Sequence, residues 1–155
     1  MRLLAATDVH FAWLLGEADA PQGGLRPPED GPLEDPPVLR WLRDLAARLP
    51  SWLMVADDEV VGACGHKTQP DAGGCVEIGY GVAATRRGRG HATHAVVEMI
   101  RLAGDDPRIA ALTARTAVAN TASQRVLSRN GFTRVGVSVD PQDGPMNDWR
   151  LDLRS

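Results

Sequence analysis

The sequence predicts a mixed α/β (α+β) fold of about seven strands and four helices, in one domain spanning residues 1–155. Three observations carry this expectation. The chain has 155 residues, 43% hydrophobic and 24% charged, an ordinary globular balance with enough material for one core. Its hydrophobic periods run in the order strand, two helices, three strands, then alternation. Three strands in succession predict an antiparallel half. The strand–helix–strand unit over 75–118 predicts a parallel pair with a right-handed crossover.

Residues 2–6 read as a short strand. Thr7 or Asp8 caps a first helix, with Phe11, Leu14, Leu15 and Ala18 at helical spacing. Residues 19–37 hold six of the eleven prolines, plus Gly23, Gly24 and Gly31, and are expected to form a loop. A second helix follows, with Val38, Trp41, Leu42, Leu45 and Leu49 on one stripe. Residues 52–56 and 60–66 are strands joined by the acidic turn Asp57-Asp58-Glu59. Pro70 to Gly74 is a second turn, and Cys75 to Ala83 the next strand. A helix from about Gly90 to Ala103 carries Ala92, Ala95, Val96, Met99 and Leu102 on one face, and Gly104 closes it. Residues 109–118 form a strand. Asn120 opens a short helix ending at Asn130-Gly131, and 132–139 with 146–153 form a final antiparallel pair.

The net charge of −3 argues against a nucleic-acid partner. No apolar run approaches the roughly 18 residues of a membrane span, and the first residues lack a signal-peptide pattern. A cytoplasmic location is expected, with Cys64 and Cys75 as reduced thiols. His10, His66, His91 and His94 lack metal-ligand spacing with either cysteine, so no metal is expected.

Three segments carry chemistry. In Cys75–Val82, period two puts Val76, Ile78, Tyr80 and Val82 on one face and Glu77, Gly79 and Gly81 on the other. One carboxylate therefore stands on a face cleared of side chains, where a ligand or another backbone can approach. Next comes Arg87-Gly88-Arg89-Gly90-His91-Ala92. A basic turn with two glycines ahead of a helix is a phosphate cradle, because its amides and the helix N-terminus converge on an anion. It lacks both the Gly-Lys-Ser/Thr of a P-loop and the third glycine of the dinucleotide fingerprint. The third segment is Asn120-Thr121-Ala122-Ser123, closed by Gly131-Phe132. Alone it reads as a helix cap, a solvated serine and a terminating glycine. Cys75 is not expected to carry an acyl group, since no basic neighbour is identifiable in the sequence.

Together these segments resemble the GCN5-related N-acetyltransferase (GNAT) superfamily, in the branch of the ribosomal-protein N-terminal acetyltransferases RimJ and RimL. Arg87-x-x-Gly90-x-Ala92 is similar to its pyrophosphate-loop pattern. Glu77-Ile78-Gly79-Tyr80 resembles the strand before that loop. Asn120-x-x-Ser123, with Val126-Leu127 and Gly131-Phe132, resembles the second motif. The resemblance covers nearly the whole chain. It implies a mixed, mostly antiparallel sheet that splays after the strand ending near Ala84, with acetyl-CoA as co-substrate and no metal.

By the same resemblance, the diphosphate would meet Arg87, Gly88, Arg89, Gly90, His91, Ala92 and Thr93. The pantetheine would pair with backbone near Val82 and Ala84 and with Asn120. Glu77 would act as base through water, and Ser123 would protonate the departing thiolate. One departure stands out: many members carry a tyrosine for that proton where this chain has Leu127. The implied reaction is direct attack of a primary amine on the thioester. The acceptor would be a protein or peptide N-terminus or a small-molecule amine. A lysine-like amine costs roughly 4–5 kcal/mol to deprotonate at pH 7, an α-amine about 1 kcal/mol. The two early helices and residues 19–37, with an acidic surplus, would form the acceptor side and mildly favour a cation. Family members are often homodimers, which leaves monomer and homodimer both open here. The alternative reading is a catalytically silent acyl-CoA-binding regulatory module, motivated by Leu127.

Overall fold

The computed structural model describes residues 1–154. In chain order it contains β1 (Arg2–Ala5), α1 (Asp8–Leu14), α2 (Pro36–Ala46), β2 (Ser51–Ala56), β3 (Glu59–His66) and β4 (Cys75–Val82). A single 3-10 turn (Ala84–Arg86) leads to α3 (His91–Gly104), β5 (Ala111–Ala117), α4 (Thr121–Arg129), β6 (Thr133–Asp140) and β7 (Gly144–Asp152). The seven strands make an open mixed sheet in the order β1-β2-β3-β4-β5-β7-β6. The β4–β5 pair is parallel; β1–β2, β2–β3, β5–β7 and β6–β7 are antiparallel. This is the expected fold class and element count. Two compact units are distinguishable: residues 1–66 with 80–95, and residues 67–79 with 96 onward.

In the first unit, Phe11, Leu25, Leu33, Leu39, Leu53, Val55, Val60, Ala63 and Ala83 form one buried cluster. The hairpin β2–β3 turns through Asp57 and Asp58, both at positive φ (51° and 64°). That is the two-residue turn whose twist matches its strands, and aspartate tolerates it better than most side chains. Glu59, expected in the turn, instead starts β3 and is buried.

Helix α1 ends at Leu14, so Leu15 is its cap and Ala18 lies outside it. Thr7 is the N-cap, and the Nδ1 of His10 accepts its backbone N–H at 3.0 Å. Asp8 is engaged elsewhere, accepting from Arg43 Nη2 at 2.9 Å. Helix α2 begins earlier than expected, because Pro36 and Pro37 occupy its first turn, where a missing N–H costs nothing. The expected stripe is rotated. Leu39 and Leu45 are buried, with Leu42 and Ala46 packed beside them, while Val38 and Trp41 are exposed.

The proline-rich segment is anchored to this unit rather than free. Arg26 donates its N–H to Asp58 O (2.7 Å) and accepts from Val60 N (2.9 Å), a parallel bridge against Glu59. Leu25 and Leu33 sink into the core.

In the second unit, β5 and β7 pair along their whole length, from Ala111↔Asp152 to Ala117↔Met146. Val96, Met99, Leu112, Leu127 and Phe132 are among its buried residues. Trp149 donates its indole N–H to Thr116 Oγ1 at 3.0 Å. Gly104 is the last residue of α3, and the Arg154 guanidinium donates to its carbonyl (3.1 Å), as suits a helix C-terminus. The parallel β4–β5 ladder covers only Cys75↔Ala111 to Glu77↔Thr113. Pairing thus stops at Glu77, although β4 continues to Val82.

Candidate functional site

The turn after β4 is built as a cradle. Val82 and Ala83 are buried and Ala84 is exposed. After the 3-10 turn, Arg87 is extended, and Gly88 and Gly90 take φ of 79° and 81°, where a side chain would be strained. Arg86 N–H donates to Ala83 O (2.8 Å) and His94 N–H to Gly90 O (3.0 Å). Among the described residues, the amides of 87–93 between them donate to no turn, loop or cap acceptor. The first amides of α3 carry no intrahelical bond either, by the geometry of a helix start. Gly88 to Thr93 thus present uncommitted N–H groups beside Arg89 and His91.

His91 is held below its ordinary pKa, first by burial, then by the N-terminal ammonium, Arg89, His94 and Arg86. Arg87 does not reach into the turn; its Nε donates to the Val82 carbonyl at 3.1 Å.

Arg86, just before the cradle, is 8% exposed. It makes a bidentate pair with Glu59, Nε to Oε1 at 2.7 Å and Nη2 to Oε2 at 2.9 Å. It also reaches Glu29 at 3.2 Å and Asp30 at 3.6 Å, and Glu59 Oε2 accepts the Glu29 N–H at 2.8 Å. Hydrogen bonds from Arg86 hold the Glu59 carboxyl below the usual carboxylate range. The cradle's first turn and the proline-rich segment therefore share one ionic lock.

The glycine-cleared face of β4 is not empty. In the second unit, a Cβ at Gly79 would stand 3.0 Å from Lys67 Cδ, so the lysine stem covers that glycine. Lys67 Nζ then pairs with Glu77 Oε2 at 3.1 Å. Glu77 backbone accepts from Lys67 N (2.7 Å), and its N–H donates to Thr68 Oγ1 (3.0 Å). In the first unit, a Cβ at Gly81 would stand 3.1 Å from Glu34 Oε1. Glu34 is half-buried. Burial raises its pKa, Arg87 opposes this and Asp35 adds to it. In sequence, Glu34 is only one member of the acidic surplus of its segment. No local pattern marks a carboxylate that meets a strand 47 positions further on.

Asn120 and Ser123 come together as cap and capped residue. Asn120 Oδ1 accepts the Ser123 N–H at 3.1 Å. Ser123 is half-buried. Leu127 is fully buried and supplies no proton. Cys75 has the basic neighbour that its sequence context hid: Arg150 Nη1 lies 3.3 Å from its sulfur. Cys64 is buried, and burial pushes its thiol up to about 12. Among the described residues no cluster of His, Cys, Asp and Glu is arranged to hold a metal, and no helix is long and apolar enough to cross a membrane.

Residues 5–133 match the acetyltransferase (GNAT) domain model. The chain is similar to the N-acetyltransferase YjdG of Bacillus subtilis (strain 168), 33% identical over 84 residues, 53% of this chain and 50% of that protein. The match spans about half the length of that curated relative. Among solved structures, the chain resembles RimL, the ribosomal L7/L12 alpha-N-protein acetyltransferase in complex with coenzyme A. The TM-score is 0.71 at 20% identity, covering 97% of this chain and 92% of the other. It also resembles AAC(6')-Ib in complex with ribostamycin and coenzyme A, with TM-score 0.70 at 19% identity over 97% and 92% of the two chains. At these identities the structural likeness is one of fold.

Proposed function

Because this chain belongs to the GNAT acetyltransferase family, we propose that it is a cytoplasmic N-acetyltransferase that moves the acetyl group of acetyl-CoA to a primary amine. The acceptor is a protein or peptide N-terminus or a small-molecule amine, and residues 1–155 act as one catalytic domain. The observation that supports this best is the turn of unpaired amides at 88–93, inside the span matched by the family model. Those amides, with Arg89 and His91, suit a diphosphate. Backbone at Val82 and Ala84 and the amide nitrogen of Asn120 suit the pantetheine.

The amine nitrogen attacks the acetyl carbonyl carbon, and the carbon–sulfur bond breaks as the tetrahedral intermediate collapses. Glu77 takes the ammonium proton through water. Ser123 gives a proton to the departing thiolate or orients a water that does. Lys67 beside Glu77 fixes the direction of that carboxylate.

The test is free-thiol release from acetyl-CoA against a panel of peptides and small amines. Amine-dependent release supports transfer. Tight acetyl-CoA binding by calorimetry without release from any acceptor supports the silent binding module instead, the reading that the buried Leu127 motivates.

A further inference from the structure

We propose that Glu34 is the acceptor-binding carboxylate, holding the substrate's primary amine as its ammonium beside Gly81 at the end of β4. This deepens the acetyl-transfer reading and rests on it for the identity of the reaction.

The carboxylate is delivered by a fixed segment. Leu33, its neighbour, is 4% exposed and part of the core. Asp35 after it is the N-cap of α2, and Pro36 and Pro37 stiffen that helix start. Upstream, the Arg26 backbone pairs with Asp58 and Val60, and Glu29 and Asp30 are tied to Arg86. Glu34 is thus held from both sides, and its position is set before any ligand arrives.

The strand makes room for it. Any side chain at position 81 would press on Glu34 Oε1, since a Cβ alone would lie 3.1 Å away. Most other carboxylates of this segment and its surroundings are committed: Glu29, Asp30 and Glu59 to Arg86, and Glu17 and Asp8 to Arg43. Among the described residues Glu34 accepts no hydrogen bond and makes no ion pair within 4.0 Å. The cation that acts on it, Arg87, is tethered to the Val82 carbonyl. A half-buried carboxylate without a partner is a poor way to stabilise a fold. It is a good way to receive a cation, because a charge-assisted N–H···O bond forms on binding. A primary ammonium has three donors and suits one carboxylate plus strand-end carbonyls.

The experiment uses the full chain and a panel of a glycyl tripeptide, N-α-acetyl-lysine amide and cadaverine. Amine binding is measured by calorimetry in the presence of coenzyme A, and turnover by thiol release. Glu34→Gln is expected to weaken amine binding and raise amine KM at least about tenfold, with the loss falling on KM more than on kcat. Glu34→Asp restores part of it. Asp143→Asn, removing an exposed charge from the turn between β6 and β7, leaves amine KM within about twofold. In the wild type, amine KM rises as pH falls through the titration of Glu34, and this dependence is lost in Glu34→Gln. Amine binding and KM within twofold of wild type in Glu34→Gln overturn the proposal while leaving acetyl transfer intact. Glu34-dependent amine binding without thiol release keeps the proposal and overturns the transfer reading.

Discussion

Glu77 and Glu34 are both carboxylates at glycine-rich β4, and their surroundings are opposite. Glu77 is part of the strand, and Lys67 Nζ sits 3.1 Å from it. Glu34 arrives from the proline-rich segment, meets the strand where Gly81 leaves space, and among the described residues has no ion-pair partner within 4.0 Å. A paired carboxylate is held in one direction, which suits relaying a proton through an ordered water. An unpaired, half-buried one has its interaction still to make, which suits holding a cation. Two groups of the same type are thus assigned different work by their neighbours alone.

Four changes break or sharpen this contrast. The largest effect is expected from Gly90→Asp, which touches neither carboxylate. It forces a side chain onto a residue at φ 81° and puts a negative charge at the cradle. Acetyl-CoA binding should fall at least about 100-fold by calorimetry, and residual tight binding would place the diphosphate elsewhere. Glu77→Gln comes next, with kcat lower by about 10²–10³ and amine KM little changed. A loss under threefold would remove Glu77 as base and leave Glu34 as the proton acceptor to test.

Arg86→Met then asks whether the lock sets the position of Glu34. It strands the buried Glu59 carboxylate, so Tm should drop by roughly 5–10 °C at pH 7, with amine KM raised alongside. Glu59 is depressed in the fold. Its stabilising effect is present above the ordinary carboxylate value and lost as pH falls through the folded one. The Tm gap between wild type and variant should therefore narrow at acid pH. The smallest effect is that of Glu34→Gln on stability. Glu34 is raised, so its ionisation weighs against the fold increasingly as pH rises from the ordinary carboxylate value to the folded one, and fully above that. The variant should match or exceed the wild-type Tm by about 1–2 °C at pH 7, and the difference should vanish near pH 4.

Much of this architecture was legible locally. Alternation placed β4 and the faces of its residues, because a half-buried strand must alternate. The two aspartates at 57 and 58 marked a tight hairpin, and Asn120 marked a helix start, because each residue satisfies a backbone need at its own position. The positive-φ turn at Gly88 and Gly90 was readable for the same reason. What escaped were side chains whose meaning is set by residues far along the chain. Glu59 read as turn polarity, yet Arg86, 27 positions on, draws it inside. Gly79 and Gly81 read as cleared ground, yet Lys67 and Glu34 fill it. Cys75 read as lacking a basic neighbour, yet Arg150, 75 positions away, supplies one. The stripe on α2 was rotated because Leu39, not Trp41, faces the core. Helical period alone does not choose between adjacent apolar positions.

The lock around Arg86 also bears on how the chain acquires its active form. Its members are separated by 30, 27 and 57 positions, so it closes only after the hairpin of β2 and β3 exists and Arg86 has been synthesised. On a ribosome, the segment carrying Glu34 emerges long before its anchor does. Contacts of such separation form late and slowly compared with local ones. A nascent chain halted before position 86 would keep the Arg26 pairing to Asp58 and Val60 but lack the Arg86 bonds to Glu29, Asp30 and Glu59. On the proposed assignments, the lock that closes at Arg86 joins the segment of the acceptor carboxylate to the turn that would hold the diphosphate.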